Sequence, residues 1–433
     1  MRSPSVSTAS GSVPFFRPSL NDAEIEEVVD TLRSGWLTTG PKVKRFETQF
    51  AEAVLGRHAV SVSSCTAALH LAVEALGLKP RQGVLVPTMT FAATAEVVRY
   101  QGAIPILVDC DPETLNLDLD DAARKLEQLR HGKLPQSIPK DTRVVGIIPV
   151  HVGGLMLNCE AIQAFAAQEG LWVVEDAAHA FPAAWRRSPG DPWQRCGEST
   201  ADVSCFSFYA NKTITTGEGG MAVTDITEVA NRIRMMSLHG LTHDAWSRYS
   251  EGGSWDYKIG APGFKYNLTD IAAAIGIHQL ARSEQMRRER ESIAEQYMDQ
   301  LSDLPEIELP LDDPDRIHAW HLFPLRLRLD RLSVDRNAFI EALKGAGIGC
   351  SVHWRPLHLH PYYLETFAWR AKDLPVASAV WKRLVSLPIF PGMREEEIAH
   401  VIRTIRTLCA VFGLSSANHP AAQRAAGARV SLA

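Results

Sequence analysis

No C-x-x-C pair occurs in this chain, and its seven cysteines, Cys65, Cys110, Cys159, Cys196, Cys205, Cys350 and Cys409, are scattered and odd in number. Neither a disulfide framework nor a zinc site is suggested, which fits a reducing cytoplasm. No stretch approaches the roughly 18 consecutive apolar residues of a membrane span, so no membrane partner is expected. The Ser-rich start, "MRSPSVSTASGSVP", lacks the apolar centre of a signal peptide and reads as a loose leader over residues 1–12. Positive charge is not in excess either: the formal net charge is -5, which gives no electrostatic reason to expect nucleic acid. The P-loop pattern G-x-x-x-x-G-K-[ST] is missing too.

What is present is a soluble globular composition, 45% hydrophobic and 22% charged over 433 residues. Such a length suggests two domains and a large core, and a small molecule is the better guess for a ligand. "LNDAEIEEVVDTLRSG" reads as a helix with Asn21 as N-cap, Glu24 three residues on and Gly35 as its stop. From residue 58, short apolar strands ("AVSVSS", "GVLVPT", "IPILVD", "RVVGIIPV", "LWVVED") alternate with amphipathic helices, and "VSCFSFYA" and "GGMAVT" add two more strands. That pattern predicts an α/β fold with a mostly parallel seven-stranded sheet between helices, whose ligands sit at strand C-terminal ends. A helical stretch from "TDIAAAIGIHQL" leads to a smaller α+β unit containing the strands "HLFPLRLRL" and "GCSVHW". The expected division is 13–275 for the large domain, 276–413 for the small one and 414–433 for a tail.

Three strand ends carry chemistry. Asp176 closes "LWVVED", where a carboxylate is either a helix N-cap or the partner of a cationic ligand atom. "SVSSCTAALHLAVEALG" runs from a strand into a helix, so N–H groups and the Thr66 hydroxyl converge as an anion cradle, or as ordinary capping. Ser207 and Lys212 flank the end of "VSCFSFYA", before "TTGEGG". Alone, Lys212 reads as a solvated charge. The chain order of anion cradle, strand-end Asp, then Ser and Lys matches the needs of pyridoxal 5'-phosphate: donors for phosphate, a carboxylate for the ring nitrogen and a lysine for a Schiff base. Phe91, in "VPTMTFAAT", is available to stack on the ring.

At this point the sequence resembles a known family. "SGWLTTGPKVKRFE", "SSCTAALHLAVEALG", "VPTMTFAATA", "EDAAHA", "SFYANKTITTGEGG", "KYNLTDIAAAIGIHQL", "SVHWRPLHLHPYY" and "SLPIFPGM" are similar, in order, to the DegT/DnrJ-type sugar aminotransferases, which are fold-type I pyridoxal phosphate enzymes. The resemblance implies that Lys212 is the Schiff-base lysine, that Asp176 pairs with the pyridine nitrogen and that Phe91 lies against the ring. It further implies that Thr66, the Cys65 amide and Ser207 bind phosphate, and that His179 contacts the hydroxyl side of the cofactor. Asn267 is expected to reach the phosphate of a neighbouring subunit, making the active unit a homodimer. Tyr209, where many relatives carry His, and the long charged "WRRSPGDPWQRCGEST" depart from the pattern.

The implied reaction is amino transfer from L-glutamate to C4 of a nucleotide-linked 4-keto-6-deoxy sugar, such as a UDP sugar, for polysaccharide or lipopolysaccharide synthesis. Trp36, Thr38, Thr39, Lys42, His353 and Arg355 are the candidates for sugar and diphosphate contacts. A metal at His353, His358 and His360 is not expected, because no carboxylate or cysteine joins them at ligand spacing. One rival is a pyridoxal phosphate-dependent sugar dehydratase, whose members replace the Schiff-base lysine. Another is a regulatory homologue without turnover. Intact Lys212 speaks against the first, and intact Lys212, Asp176 and Ser207 against the second.

Overall fold

The computed structural model describes residues 11–135, 137–241 and 258–414. The expected leader up to residue 10 and the expected tail from residue 415 lie outside the described residues. The first nine strands are β1 (His58–Val62), β2 (Gly83–Pro87), β3 (Ile104–Val108), β4 (Val144–Ile147), β5 (Trp172–Asp176), β6 (Ala184–Trp185), β7 (Gln194–Arg195), β8 (Val203–Ser207) and β9 (Gly220–Thr224). All but β6 and β7 join one seven-stranded sheet in the order β1-β9-β8-β5-β4-β2-β3. Only β9 runs antiparallel to its neighbours; the other pairings are parallel. Val84, Leu85, Val86, Ile106 and Leu107 are completely buried, as expected of parallel strands covered by helices on both faces.

Local signals in the sequence fix the helices that bring residues to the sheet edge. Ser64 caps helix Cys65–Ala75 by accepting from the Ala67 N–H. The helix expected at the start forms over Asp22–Ser34 with a full Asn21/Glu24 capping box. Glu24 also accepts from Gln279 and Arg282, which ties this helix to the end of helix Asp270–Ala281. Expected as one run, residues 270–301 form two helices, Asp270–Ala281 and Ser283–Leu301, joined at Arg282.

The remaining strands are β10 (Ile307–Glu308), β11 (Arg316–Ile317), β12 (Phe323–Leu327) and β13 (Leu384–Leu387). An antiparallel sheet β10-β12-β13 packs with helices Ser283–Leu301, Arg336–Gly345 and Glu395–Phe412 around Tyr297, Phe323, Phe339 and Phe390. Val13, assigned by sequence to the large domain, belongs to this second core and pairs with Ile348. Conversely Leu357, Tyr363, Phe367 and Trp369, assigned to the small domain, pack into the core of the large sheet. The expected boundary at 275 falls inside helix Asp270–Ala281. "GCSVHW" is not a strand: its one ladder contact is Ser351 with Ser386. The long charged insertion forms β6 and β7, which pair with β11 in a third small sheet, and Arg186 binds Asp315 at 2.8 Å.

Candidate active site

A cavity of about 460 Å3 opens at the C-terminal ends of β1, β5 and β8, and Cys65, Thr66, Phe91, Asp176, His179, Ser207, Lys212 and His353 all line it. The parallel strands deliver their last residues to one edge, so residues more than a hundred positions apart in sequence converge. On the β1 side, the N–H groups of Cys65 and Thr66 open the helix without hydrogen-bond partners among the described residues, leaving two donors at the positive end of the helix dipole. β9 passes hard against this turn. A Cβ on Gly220 would lie 2.4 Å from the Ser64 carbonyl carbon, so only glycine permits the approach.

Asp176 is buried. Its Oδ2 accepts from Thr94 Oγ1 at 2.7 Å and its Oδ1 from the Ala178 N–H at 3.2 Å. Burial holds its pKa above the usual carboxylate range despite these bonds and despite Lys212 and His151 nearby. No cation bonds to it directly among the described residues. Thr94 in turn is bonded to Thr90 at 2.7 Å. These two threonines, which fix the carboxylate, went unassigned in the sequence although they lie in the quoted "TMTFAAT".

Lys212 presents its amine to the cavity. Burial brings its pKa down to about 8, with Cys65 and Asp176 opposing the shift and Arg290 adding to it. Phe91 is 63% exposed; it is not core packing but an open aromatic face on the cavity wall. Ser207 is half-buried, and its Oγ accepts from the Tyr209 N–H at 3.3 Å. His179 is buried, and burial together with Lys212 and His353 pushes it well below the usual imidazole pKa. Its Nδ1 accepts from the Gly153 N–H at 3.3 Å, so in the neutral ring the proton sits on Nε2.

The facing wall comes from further along the chain. His353, with its pKa lowered to about 4 by burial and by Lys212, bonds Ser386 Oγ at 2.9 Å. Trp354 stacks on His179 with centroids 5.0 Å apart. His321 lies 4.2 Å, ring to ring, from His179. Trp354 and His321 were not singled out in the sequence; Trp354 lay within the quoted "SVHWRPLHLHPYY", and for His321 the available signal was a polar imidazole opening the apolar run "HLFPLRLRL".

The other expected substrate residues do not line this cavity. Arg355 is exposed, bonds the Leu359 carbonyl and lies over the Trp381 ring. Trp36 Nε1 donates to the Thr39 carbonyl, and the Thr38 carbonyl accepts from the Asp270 N–H. Lys42 is engaged by Glu27 at 2.8 Å and Asp30 at 2.7 Å. Asn267 donates to Thr39 Oγ1 at 2.8 Å and accepts from Lys265. Thr39 and Asn267 line a separate broad groove of about 1150 Å3.

A buried carboxylate with no cation bonded to it among the described residues, a helix start with two free N–H donors, an open aromatic face and a lysine with a depressed pKa are the donor set that pyridoxal phosphate requires. The residues present fit the cofactor, and with this fold they define a fold-type I pyridoxal phosphate-dependent aminotransferase. The chain belongs to the DegT/DnrJ/EryC1/StrS aminotransferase family, whose model matches residues 18–406. It is 42% identical over 397 residues to the spore coat polysaccharide biosynthesis protein SpsC of Bacillus subtilis, covering 92% of this chain and 97% of that protein. Among solved structures it is similar to the PLP form of the putative sugar aminotransferase Spr1654 from Streptococcus pneumoniae, at 31% identity and a TM-score of 0.80, with 92% and 99% of the two chains covered. It is also similar to S. venezuelae DesV in complex with a ketimine intermediate, at 30% identity and a TM-score of 0.77, with 89% and 94% covered. No helix among the described residues is long and apolar enough to cross a membrane.

Proposed function

We propose that this sugar aminotransferase moves an amino group from L-glutamate to C4 of a nucleotide-linked keto sugar, within polysaccharide or lipopolysaccharide synthesis. The observation that carries the amino-transfer reading is the depressed amine of Lys212 in the same cavity as the unpaired carboxylate of Asp176. Bound pyridoxal phosphate supplies an electron sink that acidifies the carbon next to the transferred nitrogen. Lys212 Nζ would carry the proton from the α-carbon of the donor to the cofactor carbon and, in the second half of the cycle, from that carbon to the sugar carbon that gains the nitrogen. Asp176 holds positive charge at the ring nitrogen through both halves. The Cys65 and Thr66 N–H groups, with the Thr66 and Ser207 hydroxyls, hold the phosphate, while Phe91 supports one ring face and His179 donates from Nε2.

The sugar assignment is supported by "SGWLTTGPK" and "SVHWRPLHLHPYY", by His353 in the cavity wall, and by the polysaccharide role named for SpsC. Because Asn267, Thr39 and Lys42 stand away from the cavity of their own chain, the reading includes a homodimer in which Asn267 reaches the partner's phosphate. UDP-, GDP- and dTDP-linked 4-keto sugars incubated with the holoenzyme and L-glutamate test the acceptor, with products read by mass. An amino sugar from one nucleotide series supports the assignment; conversion of free keto sugars alone refutes the nucleotide requirement.

A further inference from the structure

His321 has no part in the chemistry above, yet its Nε2 lies 3.4 Å from Lys212 Nζ, the only hydrogen bond of that amine among the described residues. The chain goes to some length to put it there. Trp320, the preceding residue, has φ +46°, a left-handed conformation that a bulky side chain keeps only when its surroundings impose it. The Trp320 N–H donates to His318 Nδ1 at 2.7 Å, and the two rings stack with centroids 3.9 Å apart. Its carbonyl accepts from Arg290 Nη1 at 3.3 Å, and the same nitrogen donates to the Ile389 carbonyl at 2.7 Å.

Both sides of the bend are pinned to one turn. The Ala319 N–H donates to Gly154 and the Leu322 N–H to Gly153, each at 3.1 Å. Gly154 has φ +99°, and a Cβ there would lie 2.9 Å from the Ala319 Cβ, so this docking needs glycine. Arg290 is buried and has no acidic partner among the described residues. A guanidinium spent on two carbonyls is costly unless that placement is useful. Burial, with His179, Lys212, Arg290 and His353 nearby, keeps His321 neutral. A neutral imidazole has one acceptor nitrogen, and against an amine that nitrogen is Nε2.

We propose that His321 accepts a hydrogen bond from the Lys212 amine whenever the lysine is free, holding Nζ in line for proton transfer, and that Arg290 and the Trp320 bend are the positioning elements behind it. The inference rests on Lys212 being the proton carrier. The proton passes from the donor α-carbon to Nζ and back to carbon; His321 gains none and serves as the fixed acceptor.

The test compares wild type, His321→Ala and His321→Gln. In holoenzyme, the α-proton step with L-glutamate, followed by the visible cofactor band, is expected to slow by about 10- to 100-fold in His321→Ala. The α-deuterium isotope effect should rise, cofactor loading should stay complete, and His321→Gln, which offers an acceptor oxygen, should recover part of the rate. In apoprotein, acylation of Lys212 by an amine-reactive reagent, located by peptide mass, is expected to be several-fold faster in His321→Ala than in wild type. Wild-type proton transfer with an unchanged isotope effect in His321→Ala overturns the proposal. So does equal labelling of Lys212 in all three proteins. If the wild-type band ignores L-glutamate, the donor assignment has failed, and the apoprotein labelling still decides the role of His321.

Discussion

One wall of the cavity is made by strand ends and the other by segments that return from the second core. Cys65, Thr66, Asp176 and Ser207 sit where β1, β5 and β8 stop; their placement follows from sheet topology alone. His321, His353 and Trp354 arrive from stretches that run between the large sheet and β12 or β13. Their placement depends on tertiary contacts: the Trp320 bend on Gly153 and Gly154, and His353 on Ser386. On the proposed reading, the strand-end wall would hold the cofactor and the returning wall would position the lysine and the substrate.

Removing Lys212 is the severest way to break the strand-end wall. Lys212→Ala is expected to abolish turnover and the visible band of the reconstituted protein, while the melting temperature of the apoprotein holds or rises, since a buried amine is lost. A colourless wild-type protein, inert after incubation with pyridoxal phosphate, would refute the enzymatic reading outright. Asp176→Ala comes next: it should retain some cofactor binding but lose about 100- to 1000-fold in turnover, the scale of removing one electrostatic stabiliser from an active site. Full activity in that variant would sink the role given to the carboxylate.

The same contrast explains what could be read from the sequence. The placement of the strand-end residues was legible because a parallel sheet turns chain order into spatial order: Asp176 after an apolar strand and Lys212 after β8 needed no knowledge of side-chain packing. Phe91 was open between core and ring contact until its exposure excluded the core. His321 was barely legible, since its one local mark, an imidazole opening an apolar run, does not name a partner 109 residues away. The small-domain boundary was blurred for a related reason. Tyr363 and Phe367 are apolar residues of a short helix, and periodicity tells that a helix has a buried face but not which core receives it.

A third site sharpens the contrast, because Asn267 belongs to neither wall of its own cavity. If it completes the phosphate site of a partner subunit, Asn267→Ala weakens cofactor affinity by about tenfold, one hydrogen bond to a charged group. Coexpressing Asn267→Ala with Lys212→Ala should then yield mixed dimers in which one cavity holds both an intact Lys212 and an intact Asn267. Cofactor retention in that cavity at limiting pyridoxal phosphate should exceed that of Asn267→Ala alone. Retention no better than in the single variant would place Asn267 in the site of its own chain or in none.

The smallest predicted effect is also the one in which the two walls oppose each other. Cys65 and Asp176, on the strand-end wall, raise the pKa of Lys212, whereas burial, the largest influence, and Arg290, behind the returning wall, lower it to about 8. Only the neutral amine captures an aldehyde, so the rate at which apoprotein takes up pyridoxal phosphate should climb between pH 7 and 9 by about tenfold and then level, instead of climbing towards the pH of about 10.4 where a free lysine titrates. Asp176→Asn removes a negative charge that favours the ammonium, so the midpoint should move down. Arg290→Met removes a positive charge that disfavours it, so the midpoint should move up. Stopped-flow absorbance at constant ionic strength reads both shifts. Midpoints that move in the same direction would mean that the lysine responds to burial alone and that the charges of the two walls do not act on it separately.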